Sequence, residues 1–233
     1  MPTYIDELSR IVPSPARYLT YQALVFDGVP IAGRRVLDVG GGNGLMSFYA
    51  ASQGASAVVC LDPIEDGSNT AMHRQFQALA EHVGGPVTRV HERFQDWKTD
   101  QVHDIILVHN AINHVNEGAT ARIQAADARA FYVGVFSSLR SLLAPGGHLI
   151  LTDCGRRNLW GDLGVPNIFA PGIEWRIHQQ PQVWDALMVE AGFRPARKRW
   201  LSPSRMGKLG QRVFGNRVGG YLTNSFFILT SQA

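Results

Sequence analysis

Short apolar runs alternate with stretches of helical period along this chain. Runs at Arg35–Val39, Ala57–Leu61 and Val87–Val90 predict three buried strands, and 104–108 and 148–152 predict a fourth and a fifth. The near-continuous apolar character of Ile105-Ile106-Leu107-Val108 suits a strand covered on both faces. Helical patterns lie between them, at about 45–53, 69–82 and 119–143. In the last of these, Phe131, Val135, Leu139 and Leu142 recur at spacings of three and four. Pro145-Gly146-Gly147 is read as the turn that ends this helix and feeds the fifth strand. After Asp153 the pattern lapses for about 25 residues. A helix at about 181–191 then precedes strands near 197–201 and 225–230. Strand–helix alternation of this kind predicts an α/β fold, a mostly parallel sheet with helices on both faces.

Composition narrows the class. The chain has 233 residues, 45% hydrophobic and 18% charged, which supports a sizeable core and excludes a disordered tail, a collagen-like repeat and a disulfide-stapled miniprotein. It contains no apolar run of membrane-spanning length. Asp6 and Glu7 stand where a signal peptide would carry its apolar stretch, so the expected location is the cytoplasm. Cys60 and Cys154 have no zinc-ligand spacing and are read as buried free thiols, and no metal is expected.

The formal charge of +3 hides a division. Residues 1–192 carry 14 basic and 19 acidic side chains, whereas 193–233 carry eight basic ones and no acid. That asymmetry points to an anionic partner for the C-terminal part.

The sharpest chemical signal is Val36-Leu37-Asp38-Val39-Gly40-Gly41-Gly42-Asn43-Gly44, which joins a buried strand to a helix start. Glycines let backbone turn tightly and approach a ligand, and amides at the helix start can hold a polar group. A dinucleotide fingerprint needs Gly-x-Gly-x-x-Gly, but its last position falls on Leu45 or Ser47 here. The form Gly40-x-Gly42-x-Gly44, preceded by Asp38, resembles the first motif of the class I S-adenosylmethionine-dependent methyltransferases.

Further segments resemble that family in order. Asp62 ends the second strand 24 positions after Asp38. Pro63 and Ile64 follow it. Glu92-Arg93-Phe94-Gln95-Asp96-Trp97 occupies the place of the adenine-edge motif, with Arg93-Phe94 where the commoner form has Gly-Asp-Ala. Asp104 to His114 resembles the fourth motif, and Leu142 to Gly147 the loop before strand five. The resemblance implies a Rossmann-like seven-stranded sheet of order 3-2-1-4-5-7-6 in a single domain over 1–233. Within it, 154–180 is a substrate-covering insertion and 202–222 a basic connection between strands six and seven. It implies S-adenosylmethionine as cofactor, held by Asp38, Gly40, Gly42, Gly44, Asp62, Pro63, Ile64, Phe94, Gln95 and His109. In that role Asp62 would accept from the ribose diol, Pro63 and Ile64 would lie along the adenine, and His109 would present its backbone carbonyl.

Methyl transfer from a sulfonium is an in-line displacement, so the protein must align the acceptor and, for a hydroxyl, remove a proton. The chain has His109-Asn110-Ala111-Ile112 where base and amide methyltransferases carry Asn/Asp-Pro-Pro-aromatic, which argues against a nucleic-acid base as acceptor. Histidine titrates near neutral pH, so His109, His114 and His178 are the candidate bases. The expected reaction is O-methylation of a small molecule, anionic or bound to a carrier, with surface association to a membrane as a further role of the basic segment. Competing readings are an RNA methyltransferase using that segment, a non-catalytic methyltransferase-like subunit and a dinucleotide-dependent oxidoreductase. Oligomeric state is open.

Overall fold

A computed structural model describes residues 3–63 and 70–233. Seven strands form one sheet in the order β3-β2-β1-β4-β5-β7-β6. They are β1 (Arg35–Val39), β2 (Ala57–Leu61), β3 (Val87–Val90), β4 (His103–His109), β5 (Leu143–Cys154), β6 (Arg197–Trp200) and β7 (Phe226–Gln232). The helices are α1 (Tyr4–Ile11), α2 (Pro15–Val25), α3 (Leu45–Ser52), α4 (Thr70–His82), α5 (Glu117–Ala121), α6 (Ala126–Ser141), α7 (Leu159–Asp162), α8 (Pro181–Glu190), α9 (Gly207–Phe214) and α10 (Arg217–Leu222). The chain divides into two compact units, Met1–His109 with Leu142–His148, and Asn110–Ser141 with Leu149–Ala233.

In the first unit β1 runs parallel to both β2 and β4, with Asp38 level with Cys60 on one side and Leu107 on the other. Strand β3 adds outside β2, again parallel, and sets Arg89 beside Cys60. Val36, Leu37, Val58, Ile105, Ile106 and Leu107 are all buried, as their unbroken apolar runs require. Helix α3 is buried along nearly its whole length, through Leu45 to Ala50. Helix α1, capped by a Thr3–Asp6 capping box, and helix α2 are both tied to the start of α3. The Tyr4 hydroxyl donates to the Leu45 carbonyl at 2.9 Å, and Gln22 Nε2 donates to the same carbonyl at 2.8 Å.

In the second unit α6 and α8 pack around Trp184, which is fully buried between Tyr132 (ring centroids 5.0 Å apart) and Phe136 (6.2 Å). Strands β6 and β7 pair antiparallel, Arg197 opposite Thr230 and Trp200 opposite Phe227.

Two elements differ from the sequence expectation. The helix predicted over 119–143 is two helices, α5 and α6, separated by a turn at 122–125. Asn116 caps α5 by accepting from Ala119 N, and Arg122 crosses the break to Asp127 at 2.7 Å. Thr120 and Tyr132 then bond each other and the carbonyl of Asn116, fastening α5 to α6. The Pro145-Gly146-Gly147 turn lies inside β5 rather than before it. Gly146 takes φ +73° there, and a Cβ on Gly147 would stand 3.0 Å from the Asp104 carbonyl oxygen. The strand thus continues through three residues whose composition would ordinarily end it. Both cysteines are free and buried, and burial pushes the Cys60 thiol up to about 12. No helix among the described residues is long and apolar enough to cross a membrane.

Candidate functional site

The glycine turn after β1 builds a cleft in the first unit, lined by Tyr18, Asp38, Gly40 to Asn43, Leu45, Met46, Met72 and His109. Its geometry depends on left-handed backbone: Gly40, Gly42 and Gly44 have φ of +71°, +54° and +78°, a region that side chains bearing a Cβ rarely enter. Gly41 is needed for a different reason. A Cβ there would lie 2.4 Å from Cys60 Sγ and 2.9 Å from Asp38 Oδ2. Gly40 N donates to Leu61 O at 2.7 Å, which locks the turn to the end of β2.

Asp38 is fully buried beneath this turn. One carboxylate oxygen accepts from Ser47 Oγ at 2.7 Å, while the other, Oδ1, is buried with no hydrogen-bond partner. Burial raises its carboxyl to about 7, against the Ser47 hydrogen bond, and the charge of Asp62 adds to the rise. Asp62, at the end of β2, accepts from Gly42 N at 2.9 Å and from Arg89 at 3.2 Å. Arg89 is almost wholly buried, lies 4.7 Å above the Phe76 ring, and leaves Nε and Nη1 without partners.

His109 closes the cleft at the end of β4. Its Nε2 lies 2.6 Å from the Tyr21 hydroxyl, and burial pushes its imidazole down to about 4, so the ring is neutral at physiological pH. Phe94 and Gln95 lie on a turn after β3, half-buried and exposed respectively, and neither lines the cleft; nor does Pro63. Ile64 lies outside the described residues. The structure thus gathers Asp38, Gly40, Gly42 and His109 around one cleft. It joins Asp62 to them through Gly42 and uses Gly44 to start α3.

The other two histidines belong to the second unit. His114 is exposed and pairs with Glu117, three positions on, at 2.8 Å. His178 Nδ1 lies 2.7 Å from Asp153 Oδ1, and Asp153 is completely buried at the end of β5. Burial raises the Asp153 carboxyl, while His178 and the Cys154 amide act against the rise. The sequence reading did not pair Asp153 with His178, 25 positions away. It also passed over Arg89, although a lone arginine inside a strand expected to be covered was a usable signal. Among the described residues no cluster of three or more histidine, cysteine or acidic side chains could hold a metal.

A family model for a methyltransferase domain matches residues 6–201. A tRNA U34 carboxymethyltransferase of Chromohalobacter salexigens is 31% identical over 132 residues, covering 52% of this chain and 32% of that protein. The human mitochondrial ubiquinone biosynthesis O-methyltransferase is 26% identical over 160 residues, 68% of this chain and 38% of its own length. The matched region spans from 17% to 49% of the length of the curated relatives. Among solved structures, an S-adenosylmethionine-dependent methyltransferase from Mesorhizobium loti superposes with a TM-score of 0.61 at 16% identity, over 92% of this chain and 98% of that one. Strand order, glycine turn and family match agree: the chain belongs to the methyltransferase domain family.

Proposed function

We propose that this methyltransferase acts on an oxygen of a small molecule and that His178, held by Asp153, takes the acceptor's proton. The His178–Asp153 pair carries the reading. A buried carboxylate on Nδ1 fixes the ring's orientation and tautomer, leaves Nε2 to accept a proton, and stabilises the imidazolium that results. His109 is a poorer base at neutral pH because burial keeps its conjugate acid strong and its Nε2 is engaged by Tyr21. His114 is an exposed side chain in a surface ion pair.

Toward the cofactor, we assign Asp38 and Asp62 together with Gly40, Gly42 and Gly44. The unpaired, buried Oδ1 of Asp38 suits a cationic ammonium group. Asp62 has spent one lone pair of each oxygen on Gly42 and Arg89, and the remaining two can accept from a ribose diol. A Cβ at Gly42 would meet nothing nearer than Met72 Sδ at 3.5 Å, so its bare face borders open space. When bound, the cofactor supplies an electrophilic methyl group on sulfur. On this reading His178 would take the proton that the acceptor oxygen gives up on methylation.

Turnover on a panel of hydroxylated small molecules, followed as S-adenosylhomocysteine release, tests the assignment. His178→Ala and Asp153→Asn should each lose about 10²–10⁴-fold in kcat with S-adenosylhomocysteine affinity retained, and His114→Ala should change little. Methylation of amines but of no hydroxyl, or full activity in His178→Ala, would sink the reading. The tRNA-modifying relatives and the basic C-terminal segment favour an RNA acceptor as the second reading. It requires transfer to bulk tRNA with strongly salt-dependent binding.

A further inference from the structure

Helices α9 and α10 fill the basic connection between β6 and β7, and each presents aliphatic side chains to solvent. On α9, Leu209 and Val213 are 74% and 54% exposed; on α10, Val218 and Leu222 are 67% and 37% exposed. Each pair is spaced i, i+4 and so lies on one helix face. The opposite faces are seated in the protein. Gln211 accepts from Ser202 N and donates to the Trp200 carbonyl, and Gly220 lies so close to the Trp200 ring that a Cβ would stand 2.6 Å from it. The aliphatic faces therefore point outward because the inward ones are already used.

The patch extends beyond the two helices. Trp160 Nε1 donates to the Leu222 carbonyl at 3.1 Å, and Tyr221 donates to Asp162 at 2.9 Å, which joins α10 to the segment holding exposed Leu163 and Val165. Arg205 donates to the Ile168 carbonyl and stacks over Phe169, bringing exposed Ile168 alongside. Of ten large apolar side chains exposed among the described residues, seven fall in the two segments 163–168 and 209–222, which is a concentration rather than scatter. The basic residues Arg205, Lys208, Arg212 and Arg217 stand among them, and no acid occurs from 193 to 233.

We propose that this face docks on the surface of a bilayer containing anionic lipid. Outward aliphatic pairs suit the boundary between headgroups and acyl chains, and the flanking cations suit the negative headgroup layer. The exposed residues of α9 and α10 are aliphatic and basic, whereas unpaired nucleic acid is gripped by aromatic platforms, which is why lipid is preferred over RNA. The proposal does not rest on the role given to His178, and its test needs no turnover.

The test is co-sedimentation of the full chain with phosphatidylcholine vesicles, plain or with about a third phosphatidylglycerol, at about 0.1 M and 0.5 M salt. The anionic vesicles should bind about tenfold more protein or better at low salt. Leu209→Asp with Val218→Asp should abolish binding. Lys208→Gln with Arg212→Gln should weaken it and flatten its salt dependence. S-Adenosylhomocysteine calorimetry checks that each variant is folded; if the aspartate pair fails to fold, the glutamine pair decides. Four results would overturn the proposal: no binding to anionic vesicles, variants that bind like the wild type, retention on tRNA instead of vesicles, or a concentration-dependent dimer that the Leu209 substitution disperses.

Discussion

Asp38 shows how one buried carboxylate divides its role between stability and binding. Its carboxyl titrates at about 7 in the folded chain because it is fully desolvated, against about 3.9 in an unfolded chain. Between those values the native state holds the extra proton, so stability falls as pH rises through that window and the full cost is present above pH 7. Asparagine keeps the shape and removes the charge. Asp38→Asn should therefore raise the Tm of the free protein at pH 8, by about 2–4 °C if the gain is about 1 kcal/mol. The same change should weaken S-adenosylhomocysteine about tenfold or more, because a charge-assisted contact is lost. Calorimetry of wild type should show affinity falling below pH 7, and the asparagine variant should lack that dependence. A lower Tm with unchanged affinity would contradict the account. Neither the perturbed carboxyl nor the Arg89–Asp62 pair was legible in the sequence, since both arise from strands brought side by side.

At the scale of elements, the β1–α3 turn was readable and the helix after β4 was not. Glycine spacing located the turn because a left-handed backbone demands that residue type, and Gly44 shows the demand most sharply. It holds φ +78° at the start of α3, and a Cβ there would stand 2.5 Å from the Phe76 ring. Gly44→Ala should therefore cost about 1–3 kcal/mol, measured by urea denaturation, whereas the Gly42 position has room for a Cβ and should show mainly the cost of its φ. Equal losses at both positions would mean that contact with Phe76 does not matter. The split of 119–143 into α5 and α6 escaped the sequence because its apolar period is nearly continuous. The break is held by Asn116, Thr120 and Tyr132, whose bonds form only once α5 folds against α6. Likewise Pro145-Gly146-Gly147 has the composition of a turn, and only the structure shows that β5 runs through it, with Gly147 close against the Asp104 carbonyl.

For the whole molecule, a formal charge of +3 describes neither end of a chain whose last 41 residues carry eight basic groups and no acid. Retention on a cation exchanger at pH 7.5 should follow this local density. Replacing Arg205, Lys208 and Arg212 with glutamine should lower the eluting salt more than the same change at Arg17, Arg74 and Lys98, although both remove three charges. Equal shifts would mean that only net charge counts. The sequence by itself determined the succession of strands and helices and the glycine turn, because hydrophobic period and left-handed backbone are local properties written residue by residue; the strand order and the cofactor followed from the resemblance those motifs carry. Tertiary structure decided the rest. It left an oxygen of Asp38 without a partner, set Asp153 on His178, seated Arg89 on Asp62 and turned the aliphatic faces of α9 and α10 outward. Each of these depends on burial and on partners distant in the chain, which exist only once the sheet is assembled.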